Sequence, residues 1–212
     1  MTADLDAMFS ALQNNYIPSI WEAVAYPSLK PLASWFEDMI NRVEFFRDWV
    51  INDQPIAYWI SAFYFPQGFL TAVLQAYSRF YMVPVDVLGF EFVVQDFDDP
   101  LNEVDEPPTE GCLVYGLYMD GCRWDYEEMV LGDQEPGVMY VNAPTIHFVP
   151  CKNYKIDPEQ YSCPLYKTSV RAGTLSTTGH STNFVLAIEM DTNKPKDHWV
   201  LRGAALLTML ND

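Results

Sequence analysis

Apolar residues in the first third of the chain recur every three or four positions, the spacing that lines one face of an α-helix. Leu5, Met8, Phe9 and Leu12 predict a first short helix, Asn14, Asn15 and Pro18 interrupt it, and Ile20, Trp21 and Val24 resume the period. From Ser28 the signal strengthens. Ser28 reads as an N-cap and Pro31 fits the first turn, while Leu32, Trp35, Phe36, Met39, Ile40, Val43, Phe46, Trp49 and Val50 share one face. This predicts a helix about 36 Å long at roughly 1.5 Å per residue. Glu37, Asp38, Asn41, Arg42, Arg47 and Asp48 fall on the opposite, solvent-facing side. Pro55 and Pro66 bracket IAYWISAFYF, a run too short and too aromatic to separate buried helical turn from extended segment. Beyond Pro66, helical spacing of Phe69, Leu70, Val73, Leu74, Tyr77 and Tyr81 continues until Pro84. Such an aromatic stripe is core by default, and what the domain cannot cover becomes an interface.

The pattern changes at Val85. VDVLGFEFVV, CLVYGLYM, VMYV, TIHFV, CPLYKTSV, FVLAIEM and HWVLRGAALLTML are short β-type runs bounded by Gly, Pro, Asn or Asp. No helix-length periodic segment separates them, and parallel strands need crossovers, so antiparallel pairing in a barrel or sandwich is expected. The fold class is therefore α+β, with a helical sub-domain over 1–84 and an antiparallel β-barrel sub-domain over 85–212. An acidic, proline-rich loop occupies about 95–110. It is read as solvated; an EF-hand counted from Asp96 would place Leu101 and Pro107 where Gly and Glu are required.

Composition narrows the function. The 212 residues are half apolar, enough for a substantial core, and 29 acids against 12 bases give a formal charge of −17. Phosphate backbones and anionic membrane surfaces are repelled by such a surface, so nucleic-acid and membrane partners are disfavoured and another protein is the expected partner. The apolar stretches are too short to span a bilayer, and the N-terminus lacks a signal-peptide pattern, so a soluble, non-secreted protein is expected. Cys112, Cys122, Cys151 and Cys163 show no C-x-x-C spacing, and with three His in all they read as reduced thiols rather than zinc ligands.

Candidate chemistry is sparse. Ser176 and His180 stand four residues apart in a polar loop, but the G-x-S-x-G elbow is absent, and a turn whose hydroxyls bond backbone is the simpler reading. No Walker motif or dinucleotide fingerprint supplies a phosphate cradle, so no nucleotide cofactor is expected. Glu127 and Glu128 are adjacent and cannot share one substrate from a strand. His147 and His198 sit among apolar neighbours at strand-like positions and read as structural. Arg123 and Trp124 are frequent interface anchors, although Asp120-Gly121 before them reads as a hairpin turn with Arg123 paired to a neighbouring carboxylate.

Five ordered blocks carry a resemblance: YPSLKPLASW from Tyr26, YWISAFYFPQGFLTAVLQAYSR from Tyr58, GLYMDGCRWD from Gly116, YSCPLYKTSVRAGTLSTTGHSTNFV from Tyr161, and HWVLRGAALL from His198. Together they span almost the whole sequence, which resembles the extreme C-terminal region of dynein heavy chains, particularly the axonemal kind. The STTGHSTNFV block is most similar to the inner-arm, single-headed branch. Ala62 stands where the family usually has Gly, and Cys122 where it usually has Ala; both are small. The acidic insertion lies in a variable part of the family.

The resemblance implies a piece of a ciliary or flagellar microtubule motor, following the last AAA+ module and lying across one face of the motor ring. It further implies that ATP hydrolysis and direct microtubule binding belong to other regions, and that this part tunes the motor without chemistry, catalytic residues, cofactor or metal. Implied partners are the AAA+ ring of the same heavy chain and other axonemal dynein subunits. Candidate contact residues are Phe69, Val73, Tyr77, Arg123, Trp124, Lys167, His180 and Asn183. Two alternatives remain: a Ser176/His180 hydrolase, and an adaptor that recruits an axonemal partner by β-edge pairing.

Overall fold

In the computed structural model most helical residues precede Pro84 and most strands follow it, although Ala57–Trp59 already pairs in a sheet and Lys196–Arg202 is helical. The structure describes residues 2–26, 28, 30–171 and 183–210. Helices α1 (Thr2–Gln13), α2 (Ser19–Glu22) and α3 (Leu32–Asn52) come first, followed by β1 (Ala57–Trp59), a 3₁₀ turn (Ile60–Ala62) and α4 (Pro66–Tyr81). The run between Pro55 and Pro66 is thus extended and then a single tight turn. α3 has 21 residues, about 32 Å, shorter than expected because it starts after Pro31. Ser28 does not cap it; its hydroxyl accepts from the Lys30 amide at 3.2 Å instead.

The remaining elements are β2 (Leu88–Val94), α5 (Pro100–Glu103), β3 (Cys112–Tyr115), β4 (Tyr118–Asp120), β5 (Arg123–Asp125), β6 (Val130–Gly132), β7 (Tyr140–Asn142), β8 (Ile146–Lys152), β9 (Tyr161–Tyr166), β10 (Phe184–Met190), α6 (Lys196–Arg202) and β11 (Ala205–Leu207). They form a four-stranded sheet ordered β1-β3-β8-β2, a five-stranded sheet ordered β10-β9-β11-β4-β7, and a β5-β6 ribbon. The α+β class stands, but the sheets do not close into a barrel; they are sandwich-like. Strand alternation places Ile146, Phe148, Cys163, Leu165 and Ile188 inside, in one large core reaching from Tyr58 to Leu206.

Three expectations change. Pairing is not wholly antiparallel: β1 runs parallel to β3 with Ala57 opposite Leu113, and β11 parallel to β9 with Leu206 opposite Leu165. Each parallel pair has its crossover, because the connections contain α4 and α6 respectively. α6 was hidden in HWVLRGAALLTML, so His198 lies on a helix rather than a strand. Asp120-Gly121 is not a hairpin turn either: β4 pairs with β7 and β11, β5 with β6, and the backbone passes from one sheet to the ribbon there. The acidic loop is partly ordered, since the Asp99 side chain accepts from the Leu101 amide and caps the single turn of α5.

Candidate docking site

α3 departs most from its sequence pattern. Asp38 and Arg42, expected on the solvent side, are buried. Residues 35, 38, 42, 45 and 49 follow helical spacing along the inner face, so the predicted apolar stripe is split in two. Trp35 is buried and Phe45 and Trp49 pack on the main core, while Phe36, Ile40, Val43 and Val50 form a second ridge facing outward.

The inner polar pair is fully engaged. Asp38 accepts from Arg42 Nε at 2.8 Å and from Lys30 Nζ at 3.3 Å, and the remaining Arg42 donors meet the Ser61 carbonyl and Met209 sulfur. The guanidinium also lies 3.8 Å from the Tyr26 ring centroid. Burial alone would raise the Asp38 pKa, but Tyr26, Arg42 and Lys30 outweigh it and hold the carboxyl below its ordinary value. Burial, then the Asp38 carboxylate, pushes the Tyr26 hydroxyl up. Tyr26, Trp35 and Met209 form a small second core around this cluster.

The outward ridge has no cover among the described residues. Val43 is 61% exposed and Val50 86%, with Ile51 and Tyr64 beside them. A groove of about 540 Å³ runs between Val43, Phe46, Val50 and Tyr64. A second, of about 350 Å³, is lined by Trp21, Val24 and Phe36 and shares Met39 and Tyr64 with the first, making one continuous apolar face. Leu5, Phe9 and Leu12 of α1 are likewise exposed.

Of the residues singled out from sequence, Phe69, Val73 and Tyr77 line one groove along α4 and the others are dispersed. Phe69 stacks on Phe63 with centroids 4.2 Å apart, and Phe69 and Val73 are half-buried against the main core. Tyr77 is half-buried against Tyr81, and the open part of α4 is its end, where Phe80 and Met82 are exposed. Trp124 is buried, and Arg123 pairs with Asp125 at 3.1 Å on the same strand. Lys167 and Asn183 hold neighbouring segments together: the Lys167 amide donates to the Asn183 carbonyl at 2.8 Å, and Asn183 Oδ1 accepts from the Thr168 amide at 3.0 Å. Burial lowers the Lys167 pKa. His180 and Ser176 lie outside the described residues. His147 Nε2 bonds the Glu110 carbonyl at 2.8 Å.

Sequence reasoning missed a cluster on α6. Asp133 takes Lys194 Nζ at 2.6 Å, His198 Nε2 at 2.7 Å and Arg202 Nε at 3.3 Å. Hydrogen bonds from Lys194 and then His198 hold its pKa down at about 2. The residues were visible, but their meeting depends on a 61-residue separation between Asp133 and Lys194.

No catalytic constellation assembles among the described residues, and the α3 face is an extended apolar surface open to solvent. Comparison with known proteins identifies its context. The family model for the C-terminal domain of the dynein heavy chain matches residues 1–208. The sequence is 44% identical to human dynein axonemal heavy chain 6, 43% to rat dynein axonemal heavy chain 1 and 44% to human dynein axonemal heavy chain 12. Each alignment covers all of the present sequence but only 6%, 5% and 7% of the respective relative. With the match running almost end to end, the protein belongs to the family of C-terminal domains of dynein heavy chains.

Proposed function

We propose that this protein is a non-catalytic regulatory and structural domain of an axonemal dynein heavy chain, packing on the AAA+ ring of the same heavy chain and tuning ATP-driven movement along microtubules. The observation that carries the reading is the uncovered apolar face from Val24 through Phe36, Val43 and Tyr64 to Ile51. A contiguous face of this kind is a docking surface in a soluble domain. The relatives supply an occupant, because more than nine-tenths of each lies outside the matched region. Phe80 near the end of α4 and Met82 just beyond it are exposed and offer a second contact area. The likeness to axonemal dynein heavy chains supports the axoneme of cilia or flagella as the place of work.

Val43→Asp combined with Val50→Asp, made in the complete motor, tests this reading. Both positions are exposed, so the domain itself keeps its core. Expected is retained ATP hydrolysis with altered microtubule gliding velocity or run length. Unchanged hydrolysis, velocity and run length would refute ring docking through this face; loss of axonemal assembly alone would favour the adaptor reading.

A further inference from the structure

β2 and β10 are each the edge strand of their own sheet and lie against one another. Beside them, where the backbone leaves β8, is a cleft of about 440 Å³ lined by Glu91, Phe92, Tyr154 and Glu189, with Lys152 and Lys155 at its rim. It shares no residue with the α3 face. Glu189 is 5% exposed and stands opposite Ser162 in the β9–β10 register. Ser162 Oγ reaches Glu189 Oε1 at 3.4 Å, whereas Oε2 is buried with no hydrogen-bond donor among the described residues. Gln160, the nearby amide, donates to Asp191 at 2.9 Å instead.

A carboxylate oxygen withdrawn from water without a donor is an unfavourable arrangement that a partner can relieve. The other buried carboxylate among the described residues shows the solution: Asp38 is held by Arg42 and Lys30. Glu189 lacks the arginine. The cleft walls suit one. Phe92 and Tyr154 meet edge to face with centroids 6.5 Å apart, and Tyr154 is clamped on β2, since a Cβ at Gly89 would fall 2.8 Å from its Cβ. Burial, then a hydrogen-bonding interaction with the Glu189 carboxylate, pushes the Tyr154 hydroxyl up, so it stays a neutral phenol at the wall of the cleft. Glu91 adds a second carboxylate at the mouth.

We infer that this cleft receives an arginine from a separate protein segment, its guanidinium donating to Glu189 Oε2 and its stem resting on Phe92 and Tyr154. A planar fork with five donors serves several acceptors at once and stacks on aromatic faces, which an ammonium group does less well. Edge strands on both sides give an extended segment backbone groups to pair with. The basic rim residues Lys152 and Lys155 are balanced by Asp157 and Glu91, so the carboxylate below them is not closed off electrostatically.

The test is an NMR titration of the ¹⁵N-labelled 212-residue protein with N-acetyl-arginine amide, N-acetyl-lysine amide, sodium chloride at matched ionic strength, and an arginine-centred pentapeptide. Expected are saturable shifts at the Tyr154 and Glu189 amides with the arginine probe, weaker by several fold with lysine, and tighter with the pentapeptide. Glu189→Gln should weaken arginine binding at least tenfold, and Phe92→Leu, which keeps the carboxylate should the first variant misfold, several fold. The inference is overturned by absent saturation, by equal binding in Glu189→Gln, or by shifts that salt alone reproduces. Binding that appears only in Lys155→Ala would also overturn it, because Lys155 would then be the natural donor. Equal affinity for the amide and the pentapeptide would overturn the assignment to a protein segment.

Discussion

Replacing Asp38 by Asn removes one charge from the cluster under α3 while leaving its volume almost unchanged, so the effect isolates electrostatics from packing. The side chains of Arg42 and Asp38 are 5% and 7% exposed. In the variant, Arg42 keeps the Ser61 carbonyl and the Tyr26 ring but loses its counter-ion. An exposed pair of this geometry contributes about 0.2–1 kcal/mol, whereas leaving one partner of a buried pair uncompensated costs about 3–5 kcal/mol. Arg42 retains neutral acceptors, which places the expected loss near the lower bound, about 3 kcal/mol, or about 6–12 °C in Tm for a protein of this size. Equilibrium urea unfolding of wild type, Asp38→Asn, Arg42→Met and the double variant forms the cycle that measures the pair, and a coupling of about 2 kcal/mol is expected. The sign with pH follows from the depressed Asp38 pKa. Its contribution is complete above the unfolded carboxylate value, about 4, and is lost as pH falls through the lower folded value. Asp38→Asn should therefore flatten the acid limb of the stability profile. A coupling below about 0.5 kcal/mol, the range of surface pairs, would refute the reasoning.

Gly111 and Gly137 both have positive φ, at 72° and 84°, but a Cβ at Gly111 would lie 2.0 Å from the Phe148 carbonyl oxygen whereas one at Gly137 meets nothing within 4 Å. Gly137→Ala is expected to cost about 1 kcal/mol for the left-handed backbone alone, and Gly111→Ala at least about 2 kcal/mol more because β3 and β8 must part; thermal melts within error of each other would contradict this. Asp133→Asn should cost no more than about 1 kcal/mol, since its ion pairs are well exposed. With the folded pKa lowered to about 2, the difference from wild type should hold from neutral pH to about 5 and vanish as pH falls from about 4 toward 2. A difference that grows on acidification would reverse the assigned sign.

The long elements were legible because prolines mark their ends: Pro31 and Pro55 flank α3, and Pro66 and Pro84 bound α4. Strands β3, β8, β9 and β10 were legible as β-type runs bounded by Gly, Pro, Asn or Asp. α6 was not, because seven residues hold barely two turns and Trp199, Val200 and Leu201 have β-type composition; the signals present were Asp197 in the first turn, Arg202 in the last, and Gly203, which closes the helix in the left-handed conformation. The parallel β9–β11 pair followed that omission, whereas the β1–β3 pair was missed because Ala57–Trp59 lies in the aromatic run whose periodicity does not separate helix from strand. The burial of Asp38 and Arg42 depends on Lys30, Tyr26, Ser61 and Met209 converging from four places in the sequence. The orphaned Glu189 oxygen leaves no trace in a one-dimensional pattern.

The inner ion pair and the outer apolar ridge of α3 are two aspects of one orientation. A helix free to choose would turn its widest apolar stripe inward, burying Phe36, Ile40, Val43 and Val50 at about 1.5–3 kcal/mol for each fully covered large side chain. Instead, Trp35, Asp38, Arg42, Phe45 and Trp49 point inward. What opposes rolling is the cost of pulling the Asp38–Arg42 pair away from Lys30, the Ser61 carbonyl and the Tyr26 ring together, because these partners lie off α3 and the charges and the carbonyl would be left buried. The polar cluster thus sets the rotation of α3 and keeps the ridge available to a partner. Apolar replacement of both members, Asp38→Leu with Arg42→Met, should then leave the protein folded with equal or greater stability, yet shift α3 and reduce binding of an apolar dye to the ridge. An unshifted helix with undiminished dye binding in that double variant would show that packing alone fixes the rotation.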